Sequence, residues 1–173
     1  MNAKNQYVYK VNVWCAIFND RIIGPFFIET LNAQNFLRLL ETEFTDVLDN
    51  LPLDARQNLY FMLDGAPAHS SRIIRNWLNT NFPLKWIGPR SPLQDWPARS
   101  PDLTPMDFYF WGTVKNKVYT NRPQNMEDLK RRIREACRNI SCEQLRKVNR
   151  HIRKVTEECI RRDGGYIETK KIN

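Results

Sequence analysis

The sequence predicts an α/β fold in which helices flank a mixed sheet. β-Branched and aromatic residues concentrate in the first third of the 173-residue chain, whereas apolar residues spaced at three and four dominate the last two thirds. A short apolar run, LYFML at 59–63, follows the first helical pattern. Strands that alternate with helices are typical of layered α/β domains, and the length fits one such domain over 1–173.

The first third of the chain predicts a β-hairpin. Residues 7–18 carry apolar side chains at every second position, which is the period of a strand. Asn19-Asp20 supplies a two-residue turn, and RIIGPFFI at 21–28 returns as the second strand. Because Gly24-Pro25 lacks one backbone donor, we expect the second strand to be bulged or at a sheet edge.

Helical spacing and proline predict the elements that follow. We expect a helix over 32–51, a strand at 59–63 buried on both faces, a serine-capped helix over 70–80 and a short strand at 84–87. Five prolines make residues 88–105 a loop. Three further helices are predicted from Pro105, after Pro123 and over 142–159; the last two form a C-terminal helical pair ended by Gly164-Gly165.

The charge balance favours a polyanionic partner. Lys and Arg number 27 against 19 Asp and Glu, so the net charge is +8 and the isoelectric point is near 9.5. Nucleic acid or an anionic membrane fits this charge, and an unspecialised basic surface is the alternative. No run reaches the roughly 18 apolar residues of a membrane span, and no signal-peptide core stands at the N-terminus. We therefore expect an intracellular protein without a membrane partner.

The four cysteines, Cys15, Cys137, Cys142 and Cys159, include no C-x-x-C pair. Three of them fall within helical patterns, so we expect buried thiols rather than a disulfide or zinc site.

Two aspartates stand where a metal site could form. Asp64 ends the apolar run at 59–63, directly before GAPAHSS, and Asp107 lies in the first turn of the helix predicted from Pro105. Two carboxylates on separate elements suit Mg²⁺ or Mn²⁺, which take oxygen ligands. The alternatives are a turn-forming Asp before Gly and a helix-capping Asp. His69 is a support for an acid, a phosphate contact, a helix cap or a surface residue, and Asp102 is interpreted as a turn residue.

Two motifs decide between these alternatives. DGAPAHSS at 64–71 and WPARSPDLTPMDFYFWG at 96–112 resemble the signatures of mariner-type DDE transposases of the Tc1/mariner superfamily. The resemblance runs from VNVWCAIFNDRIIGPFFI through WIGPRSP and KVYTNRP to RRDGGYIE. It implies a ribonuclease-H-like fold, three acids that hold two divalent metal ions, hydrolysis and strand transfer of DNA, and a nuclear location.

The resemblance assigns two of the three acids. Asp64 matches the second acid and Asp107 the last, so both become candidate catalytic and metal-binding residues for Mg²⁺ or Mn²⁺. The first acid of the family lies on a strand before the hairpin, and no Asp or Glu precedes Asp20. Asp20 itself is at the wrong end of the strand. We therefore expect a domain incomplete at its N-terminus, without the first central strand, and sheet edges that invite association.

DNA is the expected partner, a homodimer is left open, and no small-molecule cofactor is expected. His69, Arg90, Trp96 and Arg99 are the candidate nucleic-acid contacts; Trp86 either stacks on bases or packs in the core. The C-terminal helices add a basic surface that either contacts phosphates or is neutralised by nearby acids. Its basic residues are Lys130, Arg131, Arg132, Arg134, Arg138, Arg146, Lys147, Arg150, Arg153, Lys154, Arg161 and Arg162.

Three hypotheses follow for function. The first is a DNA-binding DDE transposase remnant with little nuclease activity of its own, in which two carboxylates hold one metal weakly. The second is one piece of a longer, active transposase whose upstream region supplies the first acid. The third is a domesticated module whose basic helices or strand edges bind a protein or RNA.

Overall fold

The structure is a computed structural model of the chain and describes residues 9–97 and 100–162. These described residues form two compact units, one made of those up to Phe27 together with those from Pro101 onward, and the other of those between Ile28 and Ser100. The extent of a single domain over 1–173 stays a prediction.

The described strands and helices follow one another in this order: β1 (Asn12–Phe18), β2 (Arg21–Ile28), α1 (Ala33–Leu39), a π-helical turn (Leu40–Phe44), α2 (Thr45–Asp49), α3 (Leu53–Gln57), β3 (Phe61–Met62), α4 (Arg72–Asn81), β4 (Trp86–Gly88), β5 (Gln94–Asp95), a 3₁₀ turn (Pro101–Leu103), a second π-helical turn (Met106–Phe110), α5 (Trp111–Val118), α6 (Met126–Arg138) and α7 (Cys142–Arg161).

The first unit contains the predicted hairpin. β1 and β2 form a two-stranded sheet, joined through Asn19, whose φ of +52° suits the tight turn. β1 begins later than predicted, at Asn12, and residues 7 and 8 lie outside the described residues. Gly24 has φ +90°, and a Cβ there would lie 2.9 Å from the Trp14 carbonyl oxygen. The edge position expected for β2 is confirmed for the described strands, since the sheet has two.

The core of the first unit lies between β1 and helices α5 to α7. Buried side chains at helical spacing pack against the face of β1 that the alternation at 7–18 predicts. The cluster consists of Cys15, Phe110, Val114, Val118, Leu129, Ile133, Ala136, Cys137, Ile140 and Leu145, with Tyr9, Val11, Val13 and Ile17 packed against it.

The C-terminal helical pair is confirmed. The Asn125 side chain caps α6 by accepting the Asp128 N–H, and Ser141 with Gln144 forms a reciprocal capping box on α7. None of the helices within the described ranges is long and apolar enough to cross a bilayer. The predicted stop at Gly164-Gly165 lies outside the described residues.

The second unit contains a parallel sheet in the order β3-β4-β5, in which Phe61 pairs with Trp86 and Ile87 with Gln94. Its core is aromatic: Phe44 meets Phe61 edge to face at 5.2 Å, and Phe82 lies 5.3 Å from Phe61. Trp86 is 1% exposed and its Nε1 donates to Asn79 Oδ1, so core packing is its role of the two considered.

Several expectations about the second unit are wrong. Leu59, Phe61 and Leu63 are buried, but Tyr60 is 60% and Met62 39% exposed, so β3 is covered on one face only. Ser71 occupies the N-cap of α4 without a side-chain capping bond. The sequence also missed helix α3, the π-helical turn at 40–44 and strand β5, which lies inside the predicted loop.

The cysteine prediction is partly confirmed. All four are free thiols; Cys15 and Cys137 are buried, Cys159 is half-buried, and Cys142 is exposed at the first turn of α7. A hydrogen bond with Cys137, together with burial, raises the pKa of the Cys15 thiol. These two cysteines therefore act as apolar core side chains.

Two adjacent isoleucines of α4, Ile73 and Ile74, test the packing of the second unit's core. Ile74 is fully buried, whereas Ile73 is 36% exposed. We expect Ile74→Ala to lower the free energy of unfolding by about 2–5 kcal/mol, because it leaves a cavity. The matched control Ile73→Ala should cost less than about 1 kcal/mol. Urea denaturation of both variants measures the difference, and equal losses would contradict the assigned core.

Candidate functional site

Asp64 stands at the carboxyl end of β3. The buried Leu63 still belongs to the backbone ladder, because its N–H donates to the Ile87 carbonyl at 2.9 Å. One residue later the ladder ends and the chain turns at Gly65. The carboxyl ends of parallel strands are where α/β folds place ligands, since the strands give rigid support and the loops leave the front open.

Two hydrogen bonds hold one oxygen of the Asp64 carboxylate. Oδ1 accepts the Ala66 backbone N–H at 3.0 Å and lies 2.6 Å from His69 Nδ1. A carboxylate can only accept, so Nδ1 of the imidazole carries the proton. Oδ2 accepts no hydrogen bond from the described residues, and the Asp64 side chain is 34% exposed. One oxygen is therefore fixed and the other is available to a ligand.

His69 is itself held in place. The chain closes a tight turn before α4, in which the His69 N–H donates to the Ala66 carbonyl at 2.9 Å. The imidazole packs against Phe36 of α1 with ring centroids 4.8 Å apart, and its side chain is 15% exposed. Of the roles considered from the sequence, support of the acid is the one this geometry favours. A nucleic-acid contact by His69 stays a prediction.

The surroundings of Asp64 keep it anionic. The His69 hydrogen bond lowers the pKa of the Asp64 carboxyl most, and the Ala66 N–H lowers it further, against partial burial, which raises it. An ionised carboxylate is the form that a hard divalent cation binds.

Trp96 lies beside the turn that follows Asp64. A Cβ added to Gly65 would lie 3.7 Å from Trp96 Cδ1, so the indole is an immediate neighbour of that turn. Asp95 Oδ1 accepts the backbone N–H groups of Arg90 and Trp96 at 2.7 and 2.9 Å. Asp95 thus fixes the loop that presents both candidate nucleic-acid contacts. The sequence analysis missed it, although Asp in a proline-rich loop commonly accepts nearby backbone donors.

Of the two candidate arginine contacts, only Arg90 lies within the described residues. Arg90 is exposed and has a positive φ of +59° in the loop after β4. Arg99 lies outside the described residues. Contact of either side chain with nucleic acid stays a prediction.

Asp107 belongs to the first unit, in the first turn of the π-helical segment Met106–Phe110. Its backbone N–H donates to the Thr104 carbonyl at 3.1 Å, and its side chain is exposed. The buried Thr104 also accepts the Met106 N–H through Oγ1 at 3.3 Å. Phe110 is fully buried and anchors the segment. Asp107 therefore occupies the helix start predicted for it, and Asp102 lies in a 3₁₀ turn, as expected.

Asp20 has a structural partner within its own unit. Its carboxylate binds Arg146 of α7 at 2.6 and 3.1 Å. The Arg146 hydrogen bonds are the main reason why the pKa of Asp20 is lowered. Asp20 therefore fastens the hairpin turn to α7.

The donor chemistry of the two candidate acids fits Mg²⁺ or Mn²⁺. Asp64 offers Oδ2, and Asp107 offers an exposed carboxylate. In the part of the chain that the structure describes, no three His, Cys, Asp or Glu residues group into a metal site. The fit therefore concerns the donor type of each acid taken by itself, and the metal-binding role of both stays a prediction.

The His69 contact predicts a change in the titration of Asp64. His69→Ala removes the hydrogen bond that most depresses the pKa of this carboxyl, so the pKa should rise. A pH titration followed by ¹³C NMR of the carboxyl group measures the change. In the wild type the ionised form stabilises the fold above about pH 4, and this contribution is lost as the pH falls through the folded-state pKa. His69→Asn, which can still donate, should retain most of the depression. An unchanged pKa in His69→Ala would contradict the assignment.

Comparison with known proteins identifies the family. Residues 4–130, more than half of the chain, match the family described as DDE superfamily endonuclease. The Tc3 transposase of Caenorhabditis elegans is 31% identical over 160 residues, which cover 91% of this chain and 45% of that protein. The chain thus spans about half the length of this relative.

Solved structures show the same fold. The Mos1 transposase catalytic domain, solved with raltegravir and Mn, superposes with a TM-score of 0.70 at 22% identity, covering 91% of this chain and 83% of that one. The Mos1 strand transfer complex gives 0.67 at 24% identity, covering 87% and 42%. The predicted ribonuclease-H-like α/β class is confirmed by this likeness. With the family match and the mariner-type motifs in agreement, the chain belongs to the DDE superfamily endonuclease family.

Proposed function

We propose that this chain is a DNA-processing domain of the Tc1/mariner transposase type, which binds DNA and holds a divalent metal through Asp64 and Asp107. It resides in the nucleus and has little nuclease activity by itself. One observation carries the proposal: in a DDE-family chain, the acid of the DGAPAHSS motif ends a parallel strand with one oxygen fixed and the other available.

The chain's own residues divide the work. Asp64 and Asp107 would hold Mg²⁺ or Mn²⁺, and the bound ion would supply Lewis-acid chemistry toward a phosphodiester. His69 fixes the orientation of the Asp64 carboxylate. Arg90 and Arg99 neutralise backbone phosphates, and Trp96 stacks on a base near the turn after Asp64.

The relatives support the choice of ligands. Mos1 catalytic-domain structures are described with Mn and with Mg, and other Mos1 structures are described as strand transfer and paired-end complexes. Divalent metal and transposon DNA are therefore the ligands to test on this chain. A homodimer stays a prediction.

Calorimetry with Mn²⁺ tests the metal site. We expect the wild-type chain to bind Mn²⁺, and Asp64→Ala and Asp107→Ala each to weaken binding at least tenfold, because each removes a charged oxygen ligand. Asp102→Ala is the matched control, since this acid lies close to Asp107 in sequence but in a separate turn. Equal binding by all three variants and the wild type would refute the site.

Nicking of supercoiled plasmid tests the chemistry. We expect the isolated chain to nick DNA slowly, if at all, in Mg²⁺ or Mn²⁺, because two carboxylates supply too few ligands to hold two metal ions in place. Asp64→Asn is the control for contaminating nuclease. Rapid metal-dependent nicking that disappears in Asp64→Asn would show that the isolated chain is a complete nuclease, contrary to this account.

A further inference from the structure

Most of the positive charge on α6 and α7 is already neutralised. Asp128 binds Arg131 and Arg132 at 2.5 and 2.9 Å, and Glu135 binds the other terminal nitrogen of the Arg131 guanidinium at 2.8 Å. The remaining ion pairs of this kind are Lys130–Glu127, Arg146–Asp20, Lys147–Glu143, Arg161–Glu158 and Arg162–Glu158. For these residues the basic surface is a self-paired helix face, which was the alternative to phosphate contact.

A separate group remains on α7. Arg150, Arg153 and Lys154 are exposed, and none of them forms an ion pair with a described residue. We call these three residues the α7 cationic row. Glu157 follows on the same side of the helix but lies in no ion pair with them, so the row keeps a net positive charge. Three cations at adjacent helical positions, none paired with an acid among the described residues, repel one another, which favours an anionic ligand.

The spacing of the row suits a nucleic-acid backbone. At 1.5 Å per residue, Arg150 and Lys154 are separated by about 6 Å along the helix axis. One DNA strand carries a phosphate about every 3.4 Å along the duplex axis, so the row matches two or three successive phosphates. Two of its three members are arginines, whose guanidinium groups bind phosphate oxygens bidentately.

The row is placed near a candidate catalytic acid of the same unit. The ring of Phe108, next to Asp107 in the chain, meets His151 of α7 edge to face at 5.3 Å. Arg150 immediately precedes His151, and Lys154 lies one turn away on the same side of the helix. The N-terminal half of α7 is fastened by Arg146 to Asp20 and by Asn149 to the Asn19 carbonyl at 2.6 Å. The row is thus presented by a fixed helix beside the Asp107 segment.

We propose that the α7 cationic row binds the phosphate backbone of duplex DNA and guides it past the Asp107 segment. This inference rests on the proposed function and adds to it residues other than those of the DGAPAHSS turn and the proline-rich loop. It binds without reading sequence, because phosphate contacts carry no base information.

An anionic membrane is the weaker alternative for this surface. A helix that lies on a bilayer inserts an apolar face, whereas the apolar stripe of α7, Leu145, Val148 and Val155, is buried in the protein. The exposed neighbours of the row, Asn149 and Thr156, are polar.

Fluorescence anisotropy with a labelled 30-base-pair duplex, measured over a series of salt concentrations, tests the proposal. The variant Arg150→Gln, Arg153→Gln, Lys154→Gln should bind at least tenfold more weakly. It should also lower the slope of log K against log salt by about 2–3, because each phosphate that the protein neutralises adds roughly 0.9 to that slope. The control variant Lys130→Gln, Arg131→Gln, Arg161→Gln removes the same charge from paired residues and should change the slope by less than about 1. Circular dichroism verifies that both variants fold.

Several outcomes would overturn the proposal. Equal losses in both variants would indicate net charge rather than a site, and no loss in either would place the DNA elsewhere; in both cases the metal site of the proposed function stands. Tighter binding to anionic vesicles or to RNA of equal length would assign the row to that ligand instead. A wild-type chain that binds no duplex would remove this inference and the DNA part of the proposed function together, and Mn²⁺ binding by Asp64 would then decide the rest.

Discussion

The hydrogen bonds that fix one carboxylate oxygen of Asp64 are the interaction on which the proposed function of this molecule depends. Oδ1 is held by the Ala66 N–H and His69 Nδ1, and the imidazole is held in turn by the buried Phe36. Each support depends on the next, because the turn at 66–70 is placed by β3 and α4, and these pack on an aromatic core. Asp64 is thereby kept ionised, with a second oxygen that accepts no hydrogen bond from the described residues, and this state suits the metal-binding role proposed for it.

Much of the fold could be predicted from the spacing of apolar residues, because the burial of one face of a helix or strand imposes that spacing on the sequence. The C-terminal helices have unbroken apolar stripes and strong N-caps, so their presence and approximate bounds were predictable. The strand at 59–63 was misjudged because an unbroken apolar run carries no period, and Tyr60 and Met62 proved to be exposed. Motif resemblance located Asp64 and Asp107, but the bond between Asp64 and His69 depends on a turn conformation that spacing alone does not give.

The positive charge of the chain has two different physical roles. Most basic side chains of α6 and α7 stabilise their own helices or fasten them to the hairpin, as Arg146 does with Asp20, and Arg134 and Lys130 lie over the Phe27 ring at 4.8 and 5.7 Å. Net charge alone therefore overstates the surface available to DNA. Arg150, Arg153 and Lys154 differ from these side chains because they form no ion pair with a described residue. That difference depends on side-chain geometry and cannot be read from the composition.

The most direct test of the central claim is Mn²⁺-induced broadening in ¹H–¹⁵N NMR spectra of the whole chain. If Asp64 and Asp107 hold the metal, substoichiometric Mn²⁺ should broaden the amide signals of Asp64, Gly65 and Asp107 first, because paramagnetic relaxation falls steeply with distance, and Asp64→Asn should abolish that pattern. Broadening confined to other acidic residues, or unchanged in Asp64→Asn, would contradict the account.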